Sequence, residues 1–258
     1  MSPDLIKRAA EIIEKSNYIV AFSGAGISTE SGIDDFRSPG GLWSRYDPST
    51  YASFQYFLKD PSLFWKMHKE IEYLIDEAEP NQAHLAIAEL EKMGKVKAII
   101  TQNIDMLHQK AGSGKYGAKI YQLHGEYGKL HCVKCNKEFT YDEIDIRNVK
   151  YPVCECSGYI KPKVVLFGES LPSGVLDDAM SECRQADCFI VVGSSLLISP
   201  ANYMPLIAKQ YGAQLIFINR ENTIMDDLAD VFLKGSAGEI FARLLKIIKS
   251  NIKQLDLE

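Results

Sequence analysis

Seven short runs rich in Val, Ile and Phe recur along the chain, and several of the segments between them carry apolar residues at helical spacing. That alternation is the strongest restriction on the fold. Strand, helix and strand in succession close most readily as a largely parallel sheet with helices against it. The strand candidates are Tyr18–Phe22, Val96–Thr101, Ile120–Leu123, Lys163–Phe167, Phe189–Val192, Leu215–Ile218 and Val231–Leu233. The helix candidates are Asp4–Lys15, Gln82–Met93, Val175–Ala186, Ala201–Tyr211 and Ala237–Ile252. The expected class is therefore α/β.

Two stretches break the pattern. From Ser38 to about Pro80 the sequence is aromatic-rich and punctuated by proline, and from Glu126 to Ile160 it is polar and carries cysteines. Both read as insertions that form a smaller lobe. A length of 258 residues suits one large domain with such insertions. The expected division gives residues 1–37, 81–125 and 161–258 to the main domain, and 38–80 and 126–160 to the small lobe. Hydrophobic residues at 46% and charged residues at 24% exclude disordered and fibrous classes. A net charge of −5 leaves no broad footprint for nucleic-acid phosphates, so no direct nucleic-acid binding is expected. The N-terminus lacks the pattern of a secretory signal and no run is long enough to span a membrane, so the expectation is a cytoplasmic protein with no membrane partner. There its six cysteines would be ligands or buried thiols rather than disulfides.

Three constellations carry chemistry. The first strand candidate runs into Ser23-Gly24-Ala25-Gly26-Ile27-Ser28-Thr29, a glycine-rich turn able to bring backbone N–H groups, and the positive end of a helix starting there, up to a phosphate. It departs from the dinucleotide fingerprint: Thr29 holds the third glycine position, and no second strand presents an acidic ribose reader. The chain continues instead through Asp34-Asp35-Phe36-Arg37. Two further strand ends, Gly193-Ser194-Ser195 and Ile218-Asn219-Arg220, fall where open α/β sheets bind ligands, and the three together suggest one extended nucleotide. The second constellation is Cys132-x-x-Cys135 with Cys154-x-Cys156, which suits a tetrahedral, closed and hence structural zinc. Cys183 and Cys188 read as buried hydrophobes. The third comprises Thr101-Gln102-Asn103-Ile104-Asp105, with His108 behind it, and Leu123-His124-Gly125. An imidazole at a cleft mouth suits a base near neutral pH. On the residues alone the reading ends at a nucleotide-dependent enzyme with a structural zinc and a histidine base.

These motifs, in this order, resemble the sirtuins of prokaryotic type, the NAD-dependent protein-lysine deacylases. The resemblance runs from about Val20 to about Gly238 through Gly24–Arg37, Thr101–His108, Leu123–Gly125, the cysteine pairs, Lys161–Glu169, Gly193–Ala201, Ile218–Glu221 and Gly235–Glu239. Three departures stand out: Asp34 replaces a proline, Ser194 a threonine, and the second cysteine pair is one residue tighter than usual. The resemblance implies a Rossmann-like main domain with a zinc-binding and helical lobe, NAD and one structural Zn2+ as cofactors, and acetyl-lysine-bearing proteins as partners. It implies that Ala25, Gly26 and Thr29 hold the pyrophosphate, that Ser194, Ser195, Asn219, Arg220 and Ala237 line the adenosine half, and that Gly24 and Gly193 also bind the cofactor. Phe36, Gln102, Asn103, Ile104 and Asp105 would form the nicotinamide pocket, Asp105 binding its carboxamide, and Asp35 and Arg37 would also bind the cofactor. His124 and Asn103 would be catalytic, His124 as base on a ribose hydroxyl after the acyl-lysine oxygen has displaced nicotinamide from C1′. The substrate would pair as an extended strand between Val165-Leu166-Phe167-Gly168 and Leu196-Leu197-Ile198.

A mono-ADP-ribosyltransferase would use the same NAD site and remains the alternative. Sirtuins that prefer succinyl groups carry a tyrosine and, three residues later, an arginine on the small-lobe helix. His68 and Ile71 stand at those positions here. A pocket of Phe36, Met67 and Ile71 is expected to favour neutral acyl groups, unless Lys66 or Lys69 supplies the cation.

Overall fold

The computed structural model describes residues 3–255. Among these the strands are β1 Ile19–Ser23, β2 Val96–Thr101, β3 Lys119–Gln122, β4 Gly125–Cys132, β5 Glu138–Thr140, β6 Ile160–Val164, β7 Cys188–Val192, β8 Gln214–Asn219 and β9 Val231–Lys234. The α-helices are α1 Pro3–Lys15, α2 Leu42–Arg45, α3 Pro48–Tyr51, α4 Phe54–Lys59, α5 Pro61–Glu77, α6 Gln82–Lys92, α7 Leu107–Lys110, α8 Val175–Gln185, α9 Met204–Gln210 and α10 Ala237–Leu255. The expected Ala201–Tyr211 helix is split, its first turn being the 3-10 helix Ala201–Tyr203. No helix among the described residues is long and apolar enough to cross a membrane.

Six parallel strands form the main sheet in the order β3-β2-β1-β7-β8-β9. Side chains alternate between its faces as strand geometry demands. Ile19, Ala21, Ile190, Val192, Ile216 and Ile218 pack with α1, α6 and α10 on one face, while Val20, Phe22, Phe189, Val191, Leu215 and Phe217 pack with α8 and α9 on the other. In β2 the phase slips. Val96 and Ile99 share a face because the β1–β2 register shifts between Ile19 and Val20, passing over Lys97. The topology also fixes where a ligand fits. The chain leaves β1 toward β2 and β3, then returns to lay β7 on the opposite edge of β1, so the connections diverge beyond the carboxyl ends of β1 and β7.

The expected main-sheet strand at Lys163–Phe167 is corrected. The strand is β6, Ile160–Val164, antiparallel to β4 in the small sheet β5-β4-β6. The apolar run Val164–Phe167 resembled a buried parallel strand, but only Val164 and Leu166 are buried, both against the small-lobe core, and Phe167 is exposed. That core joins both insertions: Phe57, Phe64, Trp65 and Met67 meet Leu130, Ile146 and Ile160, and the Trp65 indole donates to the Ile160 carbonyl at 3.2 Å.

All five histidines are pushed below their usual range by burial; His68, packed on Phe64 and Trp65, falls from 6.5 to about 3. A histidine held neutral by the fold binds fewer protons than its unfolded counterpart, so its contribution is complete above pH 6.5 and drains away as pH falls toward 3. Urea denaturation at pH 7 and pH 5 should therefore show a lower midpoint at pH 5. Equal midpoints would contradict the neutral-histidine core.

Candidate functional site

Two loops cross at the crevice. After β1, Gly24 donates its N–H to Val192 O (3.1 Å) and Gly26 to Gly193 O (2.8 Å), while Gly193, left-handed at φ +62°, donates to Ile218 O (3.0 Å). A Cβ at Gly193 would lie 2.1 Å from Ile27 N, and one at Gly26 would lie 2.8 Å from Gly193 Cα. These glycines are thus required by backbone crossing backbone, in addition to the nucleotide contacts expected of them. The expected helix after the turn is also corrected: Ala25–Ile27 and Thr29–Ser31 are single 3-10 turns, and Thr29 Oγ1 donates back to Gly26 O (3.1 Å), so no long helix dipole points into the crevice.

Below the crossing lies a buried polar network. Asn103 Nδ2 donates to Gly24 O (3.1 Å) and Ser28 Oγ (3.2 Å), and Ser28 Oγ donates to Asp105 Oδ2 (2.6 Å). The other Asp105 oxygen accepts the Leu107 N–H at 3.0 Å. Ser23 Oγ donates to Thr101 Oγ1 (2.9 Å), which accepts the Asn103 N–H (3.0 Å), and Ser23 also meets His108 Nε2 at 2.9 Å. Sequence reading found Asn103 and Asp105 but missed Ser23, Ser28 and His84, whose ring packs edge-on against His108. The available signal was a hydroxyl ending an otherwise apolar strand, for which a fully buried position demands a partner.

Gln102 joins two of the anticipated residues, Ser194 and His124, to Ser23. Its N–H donates to Ser23 O (3.0 Å), its side chain to Ser194 Oγ (2.9 Å), and its carbonyl faces His124 Nδ1 at 2.8 Å. A carbonyl only accepts, so Nδ1 carries the hydrogen and Nε2 is the basic nitrogen. Burial lowers the His124 pKa against the opposing pull of that carbonyl, keeping the ring neutral at pH 7. Gly125, next to His124, is pressed against β6, where a Cβ would meet Lys163 O at 1.9 Å.

Ser194 is buried and Asn219 Nδ2 donates to its carbonyl (2.6 Å); Ser195 is half-buried, Arg220 exposed, and Ala237 buried at the start of α10. In the loop before α2, Asp35 Oδ1 accepts the Arg37 and Ser38 N–H groups, and Phe36 stacks on Trp43 at 5.0 Å. Ile104 packs against the small-lobe core. Asp34, in its departure from proline, pairs with Arg45 at 3.4 Å, and Arg45 also binds Glu70 of α5. Val165 donates its N–H to His124 O (2.9 Å), and Phe167 exchanges backbone bonds with Ala52 and Phe54. Phe167, Gly168 and Leu197 are exposed, whereas Leu196 is buried with a left-handed φ of +55°. On α5, His68 bonds Tyr141 OH (2.9 Å), Ile71 packs on the small-lobe core, Lys69 donates to Val149 O (2.6 Å) and Lys66 is exposed.

The four small-lobe cysteines converge. Their sulfurs lie within 4.8 Å of one another, with Cys132–Cys156 at 3.5 Å and Cys135–Cys154 at 3.8 Å. Zn–S bonds of about 2.3 Å imply tetrahedral edges of about 3.8 Å, so the donor set fits Zn2+. The tight second pair is explained locally. Ser157 in the left-handed region closes a turn in which Cys154 donates to Gly158 O at 2.8 Å, and Gly158 makes room for the Cys132 sulfur. Cys183 and Cys188 are buried apart from the cluster, as expected of apolar thiols.

Residues 24–200 match the Sir2 family. The NAD-dependent protein deacylase 2 of Archaeoglobus fulgidus is 47% identical over 250 residues, covering 95% of this chain and 97% of that protein. A structure solved for the mechanism and regulation of Sir2 enzymes superposes with a TM-score of 0.90 at 47% identity, covering 96% of this chain and 99% of the other. A Sir2 protein with a deacetylated peptide and 3′-O-acetyl-ADP-ribose superposes at 0.87 with 35% identity, covering 93% and 97%. With the crossed glycine loops, the neutral histidine and the four-thiol cluster all carried on one matching chain, this protein belongs to the Sir2 family of sirtuins.

Proposed function

We propose that the chain is an NAD-dependent protein-lysine deacetylase whose products are nicotinamide, free lysine and O-acetyl-ADP-ribose. The observation that carries the reading is His124, neutral, tied through Nδ1 to Gln102 O and left with Nε2 as a base beside the β1–β7 crevice. The donor set suits NAD: the crevice is built from backbone amides, hydroxyls and carboxamides, and its buried carboxylate, Asp105, is already hydrogen-bonded. When bound, NAD supplies the electrophilic C1′ of the nicotinamide ribose and the hydroxyl that receives the acyl group.

The chain's own residues divide the remaining work. Ala25, Gly26 and Thr29 border the pyrophosphate, with Gly24 and Gly193 holding the crossing, and Ser194, Ser195, Asn219, Arg220 and Ala237 border the adenosine half. Phe36 and Ile104 exclude water from the nicotinamide end, Gln102 and Asp105 bind polar groups there, and Asp35 and Arg37 shape the covering loop. Asn103, with its amide hydrogens committed, acts through its carbonyl oxygen. His124 Nε2 takes the proton from the ribose hydroxyl. The acyl peptide lies between Val165–Gly168 and Leu196–Leu197. Cys132, Cys135, Cys154 and Cys156 hold a structural zinc, which would stabilise the small lobe. The lobes follow the division given above, with residues 161–166 moved to the small lobe because Val164 and Leu166 belong to its core. A cytoplasmic setting, which keeps thiols reduced, agrees with six free cysteines.

Mass spectrometry of an acetyl-lysine peptide with and without NAD tests the reading. O-acetyl-ADP-ribose and free lysine are expected; ADP-ribosylated protein with the acetyl group retained would favour the transferase instead. His124→Ala should lower kcat by ~10²–10⁴-fold while ADP-ribose binding persists. Because only the unprotonated ring accepts a proton and burial lowers its pKa, the acid limb of the kcat profile should fall below pH 6.5, and a limb above it would contradict the assignment.

Cys132→Ala should lose stoichiometric zinc and lower Tm, with activity falling in step with the folded fraction; full activity after verified zinc removal would contradict this. Ile71 offers no hydrogen bond to a carboxylate, and Lys69 is turned to Val149 O, so a succinyl carboxylate would be desolvated unpaired. Acetyl- and butyryl-lysine should exceed succinyl-lysine in kcat/KM by ~10-fold or more, and the reverse order would overturn the neutral pocket.

A further inference from the structure

Lys161, on β6, is 2% exposed, and neither nucleotide nor zinc chemistry accounts for burying an ammonium there. Its Nζ lies 3.0 Å from Glu169 Oε2 and donates to Val164 O at 2.6 Å and Pro162 O at 3.3 Å. Glu169 Oε2 in turn accepts the Leu166 N–H at 2.8 Å, and the Glu169 N–H returns to Leu166 O at 3.0 Å. One buried ion pair therefore binds both ends and the middle of the segment between residues 164 and 169.

The segment's other ties are backbone bonds from Val165 to His124 and between Phe167 and Ala52 and Phe54, with Leu166 buried in the small-lobe core. It is not part of a regular strand after Val164, and Gly168 is left-handed at φ +92°. Val165 and Glu169 border a cavity of about 590 Å³ that Lys161, Gln122 and His131 also line. The outward face carries exposed Phe167 and Gly168, and the inward end is bonded through the Val165 N–H to the carbonyl of His124. Burial lowers the Lys161 pKa and the Glu169 carboxylate beside it pulls it back up.

We propose that Lys161 and Glu169 are positioning residues that hold Val165–Gly168 in the conformation an extended acyl peptide docks against, in register with His124. This rests on the deacetylase reading. Neither side chain touches the reacting atoms; both act through the backbone of the segment. Since the docking groups are main-chain, their displacement weakens every peptide alike, whatever its flanking residues or acyl group, and leaves NAD binding untouched.

The test uses Lys161→Met, Glu169→Gln and the double variant Lys161→Met/Glu169→Met, which leaves no buried charge unpaired. Peptide affinity is read by fluorescence anisotropy with an acetylated peptide, alongside KM for peptide and for NAD, kcat, zinc content and ADP-ribose affinity. The expected result is a peptide KM and Kd raised ~10-fold by each variant, with the NAD KM changed by less than about twofold. The factor should agree between two peptides of unrelated flanking sequence. Lys161→Arg, which keeps the charge, should recover part of the loss. An unmoved peptide Kd in any variant that retains zinc and ADP-ribose affinity overturns the proposal. A fall in kcat alone also overturns it. If a single variant loses ADP-ribose binding, the double variant and Glu169→Gln decide. A wild-type protein that binds the peptide but forms no O-acetyl-ADP-ribose would sink the deacetylase reading instead.

Discussion

The crevice exists because two loops come closer than side chains allow. Gly26 and Gly193 meet backbone to backbone, with Gly193 in a conformation that L side chains rarely adopt, and the connections leaving β1 and β7 are thereby brought together over the topological switch point. Once that approach is set, the rest of the site is constrained. Asn103 reaches Gly24 O from β2, Gln102 reaches Ser194 from the same strand end, and the Gln102 carbonyl fixes the His124 tautomer. Three strand ends thus converge on one backbone crossing, which leaves the imidazole basic on the nitrogen that the protein does not use.

Much of this was legible beforehand for physical reasons. Runs such as Cys188–Val192 are buried on both faces, so they stand out as uninterrupted apolar segments, and glycines at strand ends stand out because few other residues fit there. The cysteine spacing was readable because four thiols so close need a common partner. What sequence alone misassigned depends on tertiary partners. Val164–Phe167 looks like a core strand until β4 claims Val164, and the close approach of β6 to Gly125, 1.9 Å from where its Cβ would be, has no local sign. Ser23 carries only the signal of a hydroxyl ending an apolar strand, and Ser28 carries none, since their importance is the partners that distant strands bring to them.

The polar network and the small lobe follow different strategies for the same difficulty. Under the crevice, buried hydroxyls, amides and one carboxylate satisfy one another through direct bonds, which makes the floor stiff and intolerant of a missing partner. In the small lobe, two chain segments with few long apolar runs are joined by aromatic packing around Trp65 and by a thiol cluster at the far end. The first arrangement fixes atoms for chemistry. The second fixes an aromatic surface, in which the Trp43 and Phe167 rings lie 6.3 Å apart.

The bond from the Trp65 indole to Ile160 spans 95 residues of chain, and its consequence appears during synthesis. The helices α4 and α5 leave the ribosome long before β4 and β6, the elements that cover Phe57, Phe64 and Trp65. At roughly 5–20 residues per second, that aromatic face waits on the order of 5–20 s for its complement. During this interval the nascent chain displays aromatic surface that the finished fold buries, so this face must stay free of wrong partners until β4 and β6 arrive.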